Sequence, residues 1–115
     1  MSVTIWHNPR CSKSRTTLSI LEEQGISPEI VLYNETPPTR EQIEAVLNLL
    51  GLEPLALMRK GEAVFKEKNL SDPALSRDDL ISAMVENPIL IERPVVLANG
   101  KAALGRPPEE VLKIL

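Results

Sequence analysis

The segment His7-Asn8-Pro9-Arg10-Cys11-Ser12-Lys13-Ser14-Arg15 holds the only histidine and the only cysteine of the chain, with three of its thirteen Lys/Arg residues. These are groups that do thiol chemistry. A free cysteine of pKa ~8.5 is about 3% thiolate at pH 7, whereas a helix N-terminus and nearby cations lower that pKa to ~3.5–7.5. A cysteine that is mostly thiolate is a ready nucleophile. The same surroundings suit an oxyanion, because helix-start N–H groups and arginine side chains hold tetrahedral anions. A lone cysteine is more often an inert buried residue, but Pro9, Arg10, Ser12 and Lys13 around this one argue against burial. His7 is placed to orient the loop or, when protonated, to hold the thiolate. Ser12 and Ser14 are placed to donate to sulfur or to cap a helix, capping being the ordinary role for one of them.

The elements that must position these groups follow from the pattern of apolar residues. Val3-Thr4-Ile5-Trp6 reads as a short strand and 7–11 as a loop. Ser12 to Gln24 reads as a helix with Leu18 and Leu21 inward and Gly25 in the C′ position. Glu29 to Tyr33 reads as a second strand, apolar enough to be buried on both faces. So short a β-α-β unit implies a parallel pair with a right-handed crossover. After Pro37-Pro38, Thr39 and Gln42 form a capping box for a helix whose inward face is Ile43, Val46, Leu47 and Leu50, ended by Gly51. Residues 54–70 predict two short helices around a turn at Lys60-Gly61. Ser76 caps a helix carrying Leu80, Ile81, Met84 and Val85, stopped by Asn87-Pro88. Asn99-Gly100 predicts a hairpin between 94–98 and 101–104, and Pro108-Glu109-Glu110 opens a last helix.

Charge is unevenly spread over these elements. Residues 1–21 carry three cations and no acid, while the rest carry ten basic and sixteen acidic groups. A cationic patch on an anionic body focuses a small anion at one point. The net charge of −3 and the 3% aromatic content exclude a nucleic-acid binder that works by bulk charge or base stacking. No apolar run approaches the ~20 residues of a membrane span, and there is no signal-peptide pattern. One cysteine makes no internal disulfide, and with one histidine it makes no ordinary zinc site. The expectation is a single cytoplasmic domain over 1–115, with no metal. Arg59, Arg93 and Arg106 stand beside apolar or Pro-rich stretches, and sequence spacing alone does not bring them to Cys11.

The stretches "IWHNPRCSKSR", "LYNETPPTREQ", "LMRKGE", "PILIERPVV" and "LGRPPEEVL" run in order along essentially the whole chain. Together they resemble the glutaredoxin-dependent arsenate reductase (ArsC) family, in its short chromosomal-type form. The resemblance implies a thioredoxin-like α/β fold, a mixed four-stranded sheet with flanking helices and a helical insertion between the second and third strands. It implies that Cys11 attacks arsenate, that Arg59, Arg93 and Arg106 bind the oxyanion, and that His7 and Ser14 help activate the cysteine. It gives Pro94 the place of a cis proline facing the loop. No cofactor is bound in such enzymes; glutathione is a co-substrate and glutaredoxin a partner. The single cysteine agrees, since reduction of As(V) to As(III) takes two electrons that one thiol cannot supply.

Three other readings weigh less. A low-molecular-weight phosphatase loop needs Cys-x5-Arg, and position 17 here is Thr17. A monothiol glutaredoxin-like transferase leaves the three arginines unexplained. An Spx-like regulator binding RNA polymerase uses a Cys-x-x-Cys switch, where this chain has Ser14.

Overall fold

The computed structural model describes residues 2–115. Four strands form one mixed sheet in the order β2-β1-β3-β4: β1 Val3–His7, β2 Glu29–Leu32, β3 Val95–Ala98 and β4 Lys101–Leu104. β1 pairs parallel with β2 and antiparallel with β3, and β3 pairs antiparallel with β4 across Asn99-Gly100. Both turn residues have positive φ, as a two-residue hairpin requires. Between β2 and β3 lies the expected helical insertion: α2 Arg40–Leu50, a 3-10 turn Pro54–Leu57, α3 Ala63–Glu67, α4 Arg77–Glu86 and a 3-10 turn Pro88–Leu90.

Backbone contacts divide the chain into two compact units, 2–36 with 93–115 and 37–92. In the first, α1 Ser12–Glu23 and a C-terminal helix Pro108–Ile114 pack on the sheet face made by Val3, Ile5, Val96 and Ala98, with Leu21, Val111 and Ile114 completing the core. The C-terminal segment winds as a 3-10 helix rather than an α-helix. Three residues per turn put Val111 and Ile114 on one side, and both are buried. In the second unit, Thr39 and Ser76 each complete a reciprocal capping box, with Gln42 and Asp79. Ile43, Val46 and Leu47 of α2 and Leu80, Ile81 and Met84 of α4 are buried; Leu50 and Val85 are half-buried.

One expectation fails in an informative way. β2 is an edge strand, with Glu29 and Ile30 exposed and Val31 and Leu32 half-buried, so it is not covered on both faces. The buried strands are the two central ones, β1, despite its Thr4, and β3, because each has a partner on both sides. An apolar run marks a strand but not its place in the sheet.

Candidate active site

Cys11 is the N-cap of α1, with extended φ −96° and ψ 122°, and it is half-buried. Neither Ser12 nor Ser14 occupies the cap. The loop that carries Cys11 is held from Asn8: its carbonyl accepts the Cys11 N–H at 3.0 Å, and its Oδ1 accepts the Arg10 N–H at 3.0 Å. Its own N–H donates to Ser14 Oγ at 3.0 Å. Ser14, fully buried in the first turn of α1, also shares a 2.6 Å hydrogen bond with His7 Nδ1, whose direction the tautomer sets. The inward face of α1 is therefore Ser14, Thr17 and Leu21, polar at the end that meets the loop and apolar at the other.

The electrostatics differ from what the local sequence suggests. Burial pushes the Cys11 thiol up, but the Ser14 N–H, the Arg93 guanidinium and the Lys13 N–H outweigh it, so its pKa lies below the ordinary cysteine value. Sulfur makes no regular capping hydrogen bond; these donors act on it as an anion at the start of a helix. The side chains of Arg10, Lys13 and Arg15 are exposed, and Arg15 is turned to the Pro9 carbonyl at 2.8 Å. The cation that matters for sulfur is thus 82 residues away in sequence, not beside it. His7 is pushed below its usual pKa by burial and then by Arg15, which leaves it neutral at pH 7. A neutral ring holds the loop through Ser14 and contributes no positive charge to the thiolate.

The β3-β4 hairpin delivers the rest. Arg93 is 8% exposed, and its carbonyl accepts from Arg106 Nη1 at 3.4 Å. Both arginines precede cis prolines, Pro94 and Pro107. Pro94 is buried, and its carbonyl accepts the Gly105 N–H at 3.0 Å. So Cys11, His7, Ser14, Arg93, Pro94 and Arg106 belong to one unit, with Arg93 acting directly on sulfur. Arg59 belongs to the other unit. Its Nε donates to Glu62 at 3.1 Å and its Nη1 to Glu92 at 3.3 Å.

Asn8 and Thr17 carry no signal in the sequence pattern that marks them for the site, and Gly105 is marked only by the register of the Asn99-Gly100 hairpin. A Cβ at position 105 would stand 2.5 Å from Thr17 Oγ1 and 2.7 Å from Pro94 Cγ, closer than packed atoms allow. Thr17 cannot simply swing aside, because its Oγ1 donates to the Lys13 carbonyl at 2.8 Å. Gly105 therefore lets α1, capped by Cys11, approach Pro94 and so the segment that leads from Arg93 into β3. Gly105→Ala is expected to lower the thermal midpoint and to move the pH profile of Cys11 alkylation upward. A folded variant with the wild-type alkylation profile would refute this positioning role. Among the described residues no group of three metal-ligating side chains exists, and no helix is long and apolar enough to cross a membrane.

A parallel β-α-β unit continued by an antiparallel hairpin, with a cysteine opening the first helix and a cis proline opening β3, defines a thioredoxin-like thiol protein. The solved structure of an arsenate reductase from Vibrio cholerae superposes with a TM-score of 0.98 at 55% identity, covering 100% of this chain and 98% of that one. The chain belongs to the ArsC family, whose model matches residues 6–114. It is 55% identical over 114 residues to the uncharacterized protein YfgD of Escherichia coli (strain K12), spanning 98% of this chain and 96% of that protein. It is 48% identical over 114 residues to an arsenate reductase of Neisseria meningitidis serogroup B, spanning 98% and 97%.

Proposed function

We propose that the protein is a cytoplasmic enzyme that reduces arsenate to arsenite, with Cys11 as nucleophile, glutathione as the electron donor and glutaredoxin as the partner that clears the glutathione mixed disulfide. The observation that carries this reading is the setting of Cys11 Sγ, where two helix N–H groups and the buried Arg93 guanidinium favour the anion. Arg106 brings a second guanidinium to Arg93, its Nη1 donating to the Arg93 carbonyl at 3.4 Å. The names of the Neisseria and Vibrio relatives support arsenate as the substrate.

In this reading the Cys11 thiolate attacks arsenic, a sulfur–arsenic bond forms and one oxygen leaves as water. Glutathione then forms a second sulfur–arsenic bond with loss of another water. A further thiol attacks the glutathione sulfur. The new S–S bond forms as that S–As bond breaks, and its electron pair stays on arsenic, which passes from As(V) to As(III). Hydrolysis of the remaining Cys11–arsenic bond consumes one water and releases arsenite. The sum is balanced: arsenic acid and two thiols become arsenous acid, a disulfide and a water. Arg93 and Arg106 neutralise the oxyanion, the largest electrostatic demand of the first step, and Arg59 keeps the oxyanion-binding role that the family resemblance gives it. His7 and Ser14 hold the loop, and no bound cofactor or metal takes part.

The test is arsenate-dependent NADPH oxidation coupled through glutathione, glutaredoxin and glutathione reductase. NADPH consumption is expected, and it should require both arsenate and glutathione. An enzyme that consumes none at any arsenate concentration would overturn the proposal.

A further inference from the structure

Arg59 is built into a frame that provides it with two carboxylates. The backbone bridge between Met58 and Ile91 is closed on either side by the Arg59 N–H donating to the Leu90 carbonyl and the Glu92 N–H donating to the Leu57 carbonyl, both at 2.7 Å. This pairing sets the Arg59 and Glu92 side chains together, Nη1 to Oε1 at 3.3 Å. Glu62, three residues on, accepts from Nε at 3.1 Å. All three side chains are partly exposed, at 27%, 25% and 19% for Arg59, Glu62 and Glu92. Beside them opens a cleft of about 350 Å³ lined by Arg59, Lys60, Gly61, Glu92 and the apolar Leu55 and Met58.

We infer that Glu62 and Glu92 are resting counter-ions that an incoming oxyanion must displace from Arg59, so that they set the affinity of the enzyme for its substrate. The inference rests on the proposed role of Arg59 in oxyanion binding. Two carboxylates already accept from this guanidinium, and a tetrahedral dianion has to compete for the same N–H donors. Each pair keeps one side open to water, where a competing anion can exchange for a carboxylate. The pair acts as a filter: an anion of low charge gains little by displacing a carboxylate, whereas arsenate, with several charged oxygens, gains two guanidinium hydrogen bonds at once.

The experiment is steady-state kinetics of the intact enzyme in the coupled arsenate assay, with Glu62→Gln, Glu92→Gln and Arg59→Ala. Glutamine keeps the size and an acceptor oxygen but removes the competing charge. Each glutamine variant is expected to lower KM for arsenate by about three- to tenfold with kcat changed less than about twofold. A KM that stays the same or rises in both would overturn the inference, because carboxylates that merely steady Arg59 for its task would produce that result. Arg59→Ala separates the two levels of the argument. A raised KM there leaves the oxyanion role of Arg59 standing whatever the glutamine variants do, and an unchanged KM removes that role and the inference with it. Should Glu92→Gln loosen the Met58–Ile91 bridge and fail to fold, Glu62→Gln, which lies outside the bridge, decides the matter alone.

Discussion

Cys11→Ser is expected to eliminate arsenate turnover, by more than about a thousandfold, while leaving the protein as stable as before or slightly more so. The two halves of that expectation have different physical origins. Turnover fails because the Ser14 and Lys13 N–H groups and the Arg93 guanidinium lower the pKa of a thiol, but no arrangement of this strength ionises a serine hydroxyl. Stability holds because position 11 is the N-cap of α1 and is half-buried. Sulfur there makes no regular capping bond, whereas serine is among the preferred N-caps and contributes about 1 kcal/mol relative to a residue that cannot cap. Coupled NADPH oxidation and a thermal melt on the same preparation check both halves. Turnover that survives in a folded serine variant would sink the nucleophile.

Much of this site was legible in the residues themselves, and the limits are instructive. The loop and α1 stand where the sequence puts them because Pro9, the following polar residues and Gly25 act locally. The capping boxes at Thr39 and Ser76 are equally local, and both form. The helix-start N–H groups that favour the thiolate are local and stand where the sequence puts them, but the cation that favours it is not local: charge counting along the chain credited Arg10, Lys13 and Arg15, which face solvent. Yet the sequence did contain the missing signal. Asn99-Gly100 fixes a two-residue hairpin in which Val95 faces Leu104; continuing that register outward sets Pro94 opposite Gly105 and Arg93 opposite Arg106. The two arginines and the glycine that must pass close to the proline ring are thus one consequence of a single turn. What no such register supplies is the contact between Arg93 and Cys11, which depends on how α1 lies on the sheet, and hence on Thr17 and Gly105. The exposure of β2, expected to be buried on both faces, has the same origin, since strand order is a property of the whole sheet.

Arg93→Ala is the substitution that separates the two tasks asked of one guanidinium. The first task is to hold the Cys11 thiolate. Without it the burial that pushes the thiol up is opposed only by the Ser14 and Lys13 N–H groups, so the thiol pKa rises toward its ordinary value. Because the thiolate is the basic form, a raised pKa lowers its fraction at pH 7, and alkylation by iodoacetamide should slow there and recover as pH increases through the new pKa. The second task is to neutralise the oxyanion, and pH cannot restore it. Arsenate kcat/KM is therefore expected to fall by about 10²–10³, the usual cost of one preorganised donor, and to stay depressed at a pH where alkylation has recovered. Arg93→Lys should keep more of the thiol effect than of the turnover, since an ammonium supplies charge without the planar fork that fits an oxyanion. If raising the pH returned turnover of the alanine variant to the wild-type level, Arg93 would act on sulfur alone, and the oxyanion would have to be held by other groups.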